Sequence, residues 1–211
     1  MIYNAPTKDM LFLIREWIGI DRLSALPGFE EVDVDLIEAV LEEAGKFASS
    51  ELLTINREGD EHGAVFNDGE VTTPPGFKEA YKNFIEAGWT SIDASPDHGG
   101  QGLPKLLQSM IDEILGATNV AFKLYTELSR GAYHCMAHAA SEEICDKYLP
   151  KLVEGTWSGT MCLTEPHAGT DLGLLKTKAT PAEDGTYKLS GEKIFITSGD
   201  HDLTENILHL V

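Results

Sequence analysis

Side chains that could do chemistry are concentrated in the run MCLTEPHAGTDLG, residues 161–173. It combines a thiol (Cys162), a carboxylate (Glu165), an imidazole (His167) and the pair Gly169-Thr170. Three chemistries use such residues: nucleophilic attack by a thiolate, acid–base catalysis, and phosphate binding by main-chain N–H groups. The alternative is a strand followed by a turn.

The thiolate chemistry is the weakest of the three. A catalytic cysteine needs a base and a lowered thiol pKa. Cys162 lies between Met161 and Leu163 in a strand-like run, and His167 follows only beyond a proline. A small, buried apolar residue therefore explains Cys162 better than a nucleophile does.

The segment AGTD, residues 168–171, could form a tight turn whose N–H groups and Thr170 hydroxyl hold a phosphate oxygen. It lacks the glycine spacing of the common phosphate loops. The local sequence favours the alternative, in which Gly169 supplies a positive φ and Asp171 caps a turn. Glu165, which precedes a proline, is likewise more typical of a turn or an ion pair than of a catalytic acid.

A second informative run is GEKIFITSGDHDLTEN, residues 191–206. In a strand, Phe195 and Thr197 would lie on one face. A ring beside a hydroxyl suits a planar aromatic ligand, and a cross-strand packing pair is the alternative. His134 and His138 could share a helix face, but no third ligand accompanies them, so packed or solvated histidines are favoured over a metal site.

The predicted secondary structure around these runs changes from helices to strands along the chain. Apolar residues at steps of three and four predict helices over 7–18, 33–55, 77–88, 105–121 and 141–155. After residue 156, short runs rich in Thr, Ile and Leu alternate with turn signals and predict strands joined by hairpins. The predicted class is α+β, with an all-α domain over 1–156 and the beginning of an antiparallel β-sandwich or barrel over 157–211. The apolar run NILHLV would leave a strand edge open, so we expect a fragment of a longer protein.

Composition narrows the function classes. The 211 residues carry 16 Lys and Arg against 35 Asp and Glu, a net charge of −19, which argues against a polyanionic partner such as a nucleic acid. Three scattered cysteines favour neither a disulfide framework nor a zinc site and are typical of a reducing cytoplasm. No run approaches the roughly 20 apolar residues of a membrane span.

Taken together, CLTEPHAGTD and FITSG resemble the acyl-CoA dehydrogenases, a family of flavoproteins with the runs C-x-T-E-P-x-A-G-S-D and aromatic-Ile-Thr-x-Gly. Thr170 replaces the usual serine. GWTSIDASPDHGGQGLP and KYLPKLVEGTWSG resemble the family's helical half. The opening YNAPTKDMLFLIREWIG and the tail SGDHDLTENILHLV are similar to the branch of larger members that includes the 3-methylmercaptopropionyl-CoA dehydrogenases.

The resemblance implies FAD-dependent oxidation of an acyl-CoA thioester to the trans-2-enoyl-CoA, as part of fatty acid metabolism. A glutamate takes the α-proton, and the resemblance places it in a C-terminal helical domain beyond Val211, so no catalytic residue is expected within this chain. We therefore predict that the 211 residues alone are not a competent dehydrogenase and bind FAD weakly or not at all. The implied partners are an electron-transferring flavoprotein and further copies of the full-length protein, as a dimer or tetramer.

By position, the resemblance assigns Leu163 and Thr164 to the flavin ring, and Gly169 and Thr170 to the FAD pyrophosphate or the CoA. Phe195 would pack on the ring where many relatives have Trp, and Thr197 would reach the N5 region. The full cofactor set is Met161, Leu163, Thr164, Gly169, Thr170, Phe195 and Thr197. The expected substrate contacts are Thr170, Glu113 and Leu115, the last two facing an acyl pocket, although ordinary helix packing fits their periodicity equally well.

Two related activities remain open at this point. A flavin-dependent acyl-CoA oxidase would share the same motifs. A DNA-associated flavoprotein of the alkylation response would share the fold, but the net charge of −19 argues against it.

Overall fold

Helices account for most of the chain up to residue 154 in the computed structural model, which describes residues 2–211. Two α-helices, which begin at Thr7 and Val34, continue as π-helical turns over Leu13–Ile18 and Ala48–Leu52. A short 3₁₀ turn covers Pro96–His98. The α-helices are α1 Thr7–Phe12, α2 Ile20–Ser24, α3 Val34–Phe47, α4 Leu53–His62, α5 Phe77–Glu86, α6 Lys105–Ala139 and α7 Glu142–Glu154.

Capping residues set the predicted helix boundaries. The Asp33 carboxylate accepts a hydrogen bond from the Leu36 N–H at the start of α3, and the Ser141 hydroxyl accepts one from the Ile144 N–H at the start of α7. Gly155 ends α7 in the left-handed conformation, at φ +74°.

Helix α6 is interrupted where the sequence predicts an end. Asn119 has non-helical angles, φ −156° and ψ 90°. Its Oδ1 accepts from the Phe122 N–H at 2.9 Å, and its Nδ2 donates to the Leu52 carbonyl at 3.2 Å. Asn119 therefore acts as an internal N-cap, and the helix restarts behind it.

The core lies mainly among the helices. Phe122, which is fully buried, contacts Phe77, Tyr81 and Phe84 with ring centroids 5.7 to 6.4 Å apart. A second apolar cluster joins the end of α6 and α7 to the first strand of the β region; its buried residues are Ala94, Tyr133, Met136, Leu149, Leu152 and Val153.

A small hairpin lies between α4 and α5. Strands β1 (Val65–Asn67) and β2 (Glu70–Thr72) pair antiparallel. Asp68 and Gly69 both have positive φ, +48° and +90°, as the Asp-Gly pair at the turn could have indicated.

The β region contains two further strand pairs. Strands β4 (Lys178–Pro181) and β5 (Tyr187–Ser190) form the predicted antiparallel hairpin. Strands β3 (Trp157–Met161) and β6 (Asn206–Leu210) pair in parallel. A parallel pair needs a long crossover, and residues 162–205, including that hairpin, supply it.

The expectation that Phe195 and Thr197 lie in a strand is wrong: β5 ends at Ser190 and residues 191–198 form no strand. Phe195 and Ser198 have positive φ, +55° and +56°, which breaks the alternation of faces. Phe195 and Thr197 therefore do not share a pleated face.

A partly exposed ion pair connects the β region to the helices. Asp202 accepts from the Thr73 N–H and hydroxyl and lies 2.7 Å from Lys78 Nζ. Burial alone would raise the pKa of Asp202, but Lys78 and Thr73 outweigh burial and lower it to about 2. Because an aspartate in the unfolded chain has a pKa of about 3.9, this carboxylate stabilises the fold above that pH, and the contribution is lost as the pH falls toward 2.

Replacement of Asp202 by Asn should remove this pH dependence. We expect Asp202→Asn to lower the free energy of unfolding at neutral pH by about 1–2 kcal/mol, a value reduced because the pair is partly solvated. Urea unfolding across an acidic pH series should show a flatter profile than the parent protein between pH ~4 and ~2. The exposed neighbour variant Asp200→Asn is the control, and an equal flattening in both variants would contradict the assignment.

Candidate functional site

The two motif-bearing segments lie side by side. The Ile194 N–H donates to the Thr164 carbonyl at 3.0 Å. Lys193 Nζ donates to the Leu163 carbonyl and to Glu165 Oε1, each at 3.0 Å. Residues 163–165 and 193–194 are therefore in contact, which brings the two motif segments together.

Glu165 organises this surface as a buried ion-pair element. Its carboxylate accepts from the Lys176 and Thr177 N–H groups at 2.8 and 2.9 Å, pairs with Lys193, and lies 3.4 Å from His167 Nε2. Donors on Thr177 and Lys176, with Lys193, hold the pKa of this carboxyl well below its usual range although burial opposes them. The residue thus stays ionised and joins three stretches of chain, as the ion-pair interpretation predicts.

The turn in this run comes earlier than predicted. Glu165 and Ala168 exchange two main-chain hydrogen bonds, of 2.9 and 3.0 Å, around Pro166 and His167. The glycine at 169 does not have a positive φ, and nothing lies within 4 Å of where its Cβ would be. Asp171 caps the following turn, as predicted, by accepting from the Gly173 N–H at 3.1 Å.

Apolar side chains face solvent on the surface made by the two segments. Met161 is 45% exposed, Leu163 41% and Phe195 89%. The hydroxyl-bearing Thr164 lies beside them and is half-buried. We call these four residues the exposed wall. Clustered exposed apolar side chains mark binding surfaces, and a wall of this composition fits a flat ring system with polar edges.

A cleft of about 470 Å³ lies beside α4 and the restarted part of α6. Val120, Ala121, Leu124 and Tyr125 line it from α6, and Thr197 and Ser198 from the loop after Phe195. We call it the α4–α6 cleft. Its size and largely apolar lining are typical of a small-molecule site. Thr197 therefore contacts this cleft, while the exposed wall is formed by residues that precede it.

The two residues expected to face an acyl pocket from α6 do not line this cleft. Glu113 is exposed and Leu115 is buried in the helical core. Residues two apart on a helix point in nearly opposite directions, so they could not form one pocket floor. The cleft-lining part of α6 begins at Val120, after the Asn119 break, which periodicity alone does not reveal.

Cys162 is buried, as predicted, but the parallel pairing gives it a histidine neighbour that sequence spacing could not indicate. His209 Nδ1 lies 3.7 Å from Cys162 Sγ and 2.7 Å from Thr160 Oγ1. The register pairs Thr160 with His209 directly. The shorter contact is the one with the threonine hydroxyl, so the imidazole is hydrogen-bonded in the sheet.

Ser158 and His201 form a second cluster that sequence reasoning missed. The Leu203 N–H donates to His201 Nδ1, so the neutral ring carries its proton on Nε2, 3.0 Å from Ser158 Oγ. Ser158 in turn donates to Thr204, whose hydroxyl donates to the Asn206 carbonyl. Because the histidine donates to the serine, it cannot act as its base. Burial lowers the pKa of His201, with Asp200 and Asp202 opposing, so the ring favours this neutral, structural role.

No group of three or more metal-ligating side chains occurs within residues 2–211. His134 pairs with Asp93 at 2.8 Å, while His138 is exposed, so the two histidines do not share a ligand role. The three cysteines are free thiols. Among the same described residues, no helix is both long and apolar enough to cross a bilayer.

The fold is a helical bundle followed by short strands, with the two motif segments in contact. The profile of the acyl-CoA dehydrogenase N-terminal domain matches residues 35–156, and the chain belongs to the acyl-CoA dehydrogenase family.

Individual relatives and solved structures are also similar to this chain. The 3-methylmercaptopropionyl-CoA dehydrogenase of Ruegeria pomeroyi is 42% identical over 211 residues, all of this chain and 36% of that protein. An acyl-CoA dehydrogenase from Bacillus anthracis complexed with FAD has a TM-score of 0.67 and 26% identity over 80% of this chain and 27% of its own. The electron transferring flavoprotein structure of Acidaminococcus fermentans matches with a TM-score of 0.64 and 29% identity, over 74% of this chain and 38% of its own. The chain therefore spans about a third of the length of the relatives it matches.

Proposed function

We propose that the full-length protein is an FAD-dependent acyl-CoA dehydrogenase that converts an acyl-CoA thioester to the trans-2-enoyl-CoA. The observation that carries this proposal is the exposed wall, in which Lys193 and Ile194 hold Leu163, Thr164 and Phe195 on one surface. The family membership and a relative crystallised with FAD support it.

The described residues fit a flavin. Leu163 and Phe195 offer exposed apolar area to a ring, and the Thr164 hydroxyl offers a hydrogen bond at its edge. Gly169 and Thr170 are exposed beyond the turn, where a pyrophosphate or the CoA could approach the main chain closely. When bound, FAD would accept the hydride from the β-carbon, and the role of these residues is to orient it.

The α4–α6 cleft is the proposed site for the acyl chain. Val120, Ala121 and Leu124 supply apolar lining, and Thr197 also lines the cleft. Burial of an acyl chain there contributes about 0.8 kcal/mol per methylene. This cleft replaces the surface around Glu113 and Leu115 as the proposed acyl pocket.

The rest of the reaction is assigned to the full-length protein. We propose that a glutamate beyond Val211 takes the α-proton, that an electron-transferring flavoprotein accepts the electrons, and that the protein assembles as a dimer or tetramer. The 211 residues alone are then expected to be inactive and to retain little FAD. Equimolar flavin absorbance after purification of the 211-residue chain would contradict this last expectation.

The full-length protein tests the proposal directly. Purified with FAD, it should reduce an electron-transferring flavoprotein in the presence of one class of acyl-CoA and release the 2-enoyl-CoA, which mass spectrometry detects. Substrate-dependent hydrogen peroxide without that acceptor would instead indicate an oxidase. Salt-sensitive DNA binding without either reaction would indicate the DNA-associated relative.

Two exposed phenylalanines provide a matched pair of variants. Phe195→Ala should lower the FAD affinity of the full-length protein about tenfold, because it removes ring packing worth roughly 1–1.5 kcal/mol. Phe66→Ala, in the β1–β2 hairpin, removes a similarly exposed ring and should leave the affinity unchanged. Fluorescence titration with FAD measures both, and equal losses would contradict the placement of the flavin against Phe195.

A further inference from the structure

A small cavity lies inside the helical region, away from the exposed wall. Side chains from α5, from the loop after it, from α6 and from α7 line it. The room it leaves for the centre of a water molecule is about 20 Å³. That exceeds the roughly 10–15 Å³ one water requires and is too small for a larger ligand.

One polar atom of a residue that lines this cavity has no hydrogen-bond partner in the described part of the chain. The indole Nε1 of Trp89 is fully buried and makes no hydrogen bond to any of residues 2–211. Trp89 lines the cavity, while its ring packs against Phe47 at a centroid distance of 6.1 Å. A buried N–H donor is costly to leave unpaired, so an acceptor is required at this position.

Three hydroxyls on the cavity lining have already donated their hydrogens. Thr90 donates to the Val153 carbonyl at 2.7 Å, and Thr126 to the Lys123 carbonyl at 2.9 Å. Ser129 donates to the Tyr125 carbonyl at 2.9 Å and accepts from the Gly159 N–H at 3.1 Å. Each oxygen retains capacity to accept, because a hydroxyl has one hydrogen and two lone pairs.

We propose that this cavity is an internal water site. One water accepts from Trp89 Nε1 and donates to two of the three hydroxyl oxygens, which gives the three hydrogen bonds typical of buried water. An ionic occupant does not fit. Arg130, which also lines the cavity, disfavours a cation, and its double hydrogen bond to Asp112 neutralises the charge that an anion would need.

The water would connect separate elements. It joins the loop after α5 at Trp89 to α6 at Thr126 or Ser129, and Ser129 also binds the β3 main chain at Gly159. With Ser129 as one of the two acceptors, the hydrogen bonds of this site run from the helical region to the first strand of the β region.

A crystal structure of the protein, at a resolution that shows ordered water, tests the proposal. The expected result is one water peak within hydrogen-bond distance of Trp89 Nε1 and of two lining hydroxyls. Absence of a peak, or a peak that touches none of these atoms, overturns it. A nuclear Overhauser contact between water and the Trp89 indole proton is the solution counterpart, and its absence counts in the same way.

Trp89→Phe removes the N–H and retains an aromatic ring. The water peak in this variant should weaken markedly, because one of three hydrogen bonds is lost. Trp17→Phe, at an exposed indole, should leave the peak unchanged. A peak of undiminished strength in Trp89→Phe would show that the indole does not hold the water and would overturn the proposal.

Discussion

Replacement of Asn119 by Ala is expected to lower the free energy of unfolding by about 2–4 kcal/mol. The amide is buried inside α6 and bonds both the Phe122 N–H and the Leu52 carbonyl. Alanine would remove the internal cap and leave both main-chain groups unpaired in the core. Urea unfolding followed by far-UV circular dichroism measures the change.

Two neighbouring variants control this prediction. Asn119→Ser retains a capping oxygen but not the donor to Leu52, so its loss should be intermediate. Val120→Ala, at the adjacent exposed position, should change the stability by less than about 0.5 kcal/mol. Equal stability of Asn119→Ala and the parent protein would show that the break in α6 does not depend on this side chain.

The Asn119→Ala substitution should also weaken ligand binding. The α6 residues that line the α4–α6 cleft follow the Asn119 cap directly; they are Val120, Ala121, Leu124 and Tyr125. In the full-length protein we therefore expect Asn119→Ala to weaken acyl-CoA binding more than FAD binding. An equal loss of both ligands would indicate general unfolding, so the stability of the variant must be compared at the assay temperature.

The second large loss, of FAD affinity and of thermal stability, is expected on substitution of Glu165. Glu165→Gln retains the shape of the side chain but places an amide NH₂ among groups that are themselves donors, Lys193 and the Lys176 and Thr177 N–H groups. Because these contacts hold the two motif segments together, FAD affinity of the full-length protein should fall by about tenfold or more. Fluorescence titration and thermal unfolding should both show the defect.

An exposed carboxylate nearby separates this effect from a simple change in net charge. Glu192→Gln alters the charge equally, and its side chain is exposed. It should leave FAD affinity and the unfolding temperature unchanged. Comparable losses in the two variants would mean that charge, and not the buried contacts of Glu165, accounts for the defect.

The helical half could be predicted closely because its signals are local. Capping residues Asp33 and Ser141 and the terminal Gly155 lie next to the apolar periodicities that they delimit. The Asn119 break was indicated only by the predicted end near residue 121. That Asn119 is an internal cap within a longer helix could not be predicted, because one of its hydrogen bonds is made to Leu52, far away in the sequence.

The candidate site was likewise predictable only in part. Its motif residues were recognisable because CLTEPHAGTD and FITSG carry residue types that need no partner to be identified. Their geometry was not recognisable, because the alternation of faces assumed for Phe195 and Thr197 holds only in a strand, and positive φ angles at Phe195 and Ser198 remove it.

Residue types and their order thus determined the class of fold, the capped helices and the two segments of the flavin-site candidate. Only the tertiary structure decided that β3 and β6 run parallel, which places His209 beside Thr160 and Cys162. It also decided that Glu165 binds chain segments eleven to twenty-eight residues away. The physical reason is that capping and turn formation depend on neighbours along the chain. Strand partners, buried ion pairs and cleft walls depend on which distant segments pack together, and the local sequence does not encode that choice.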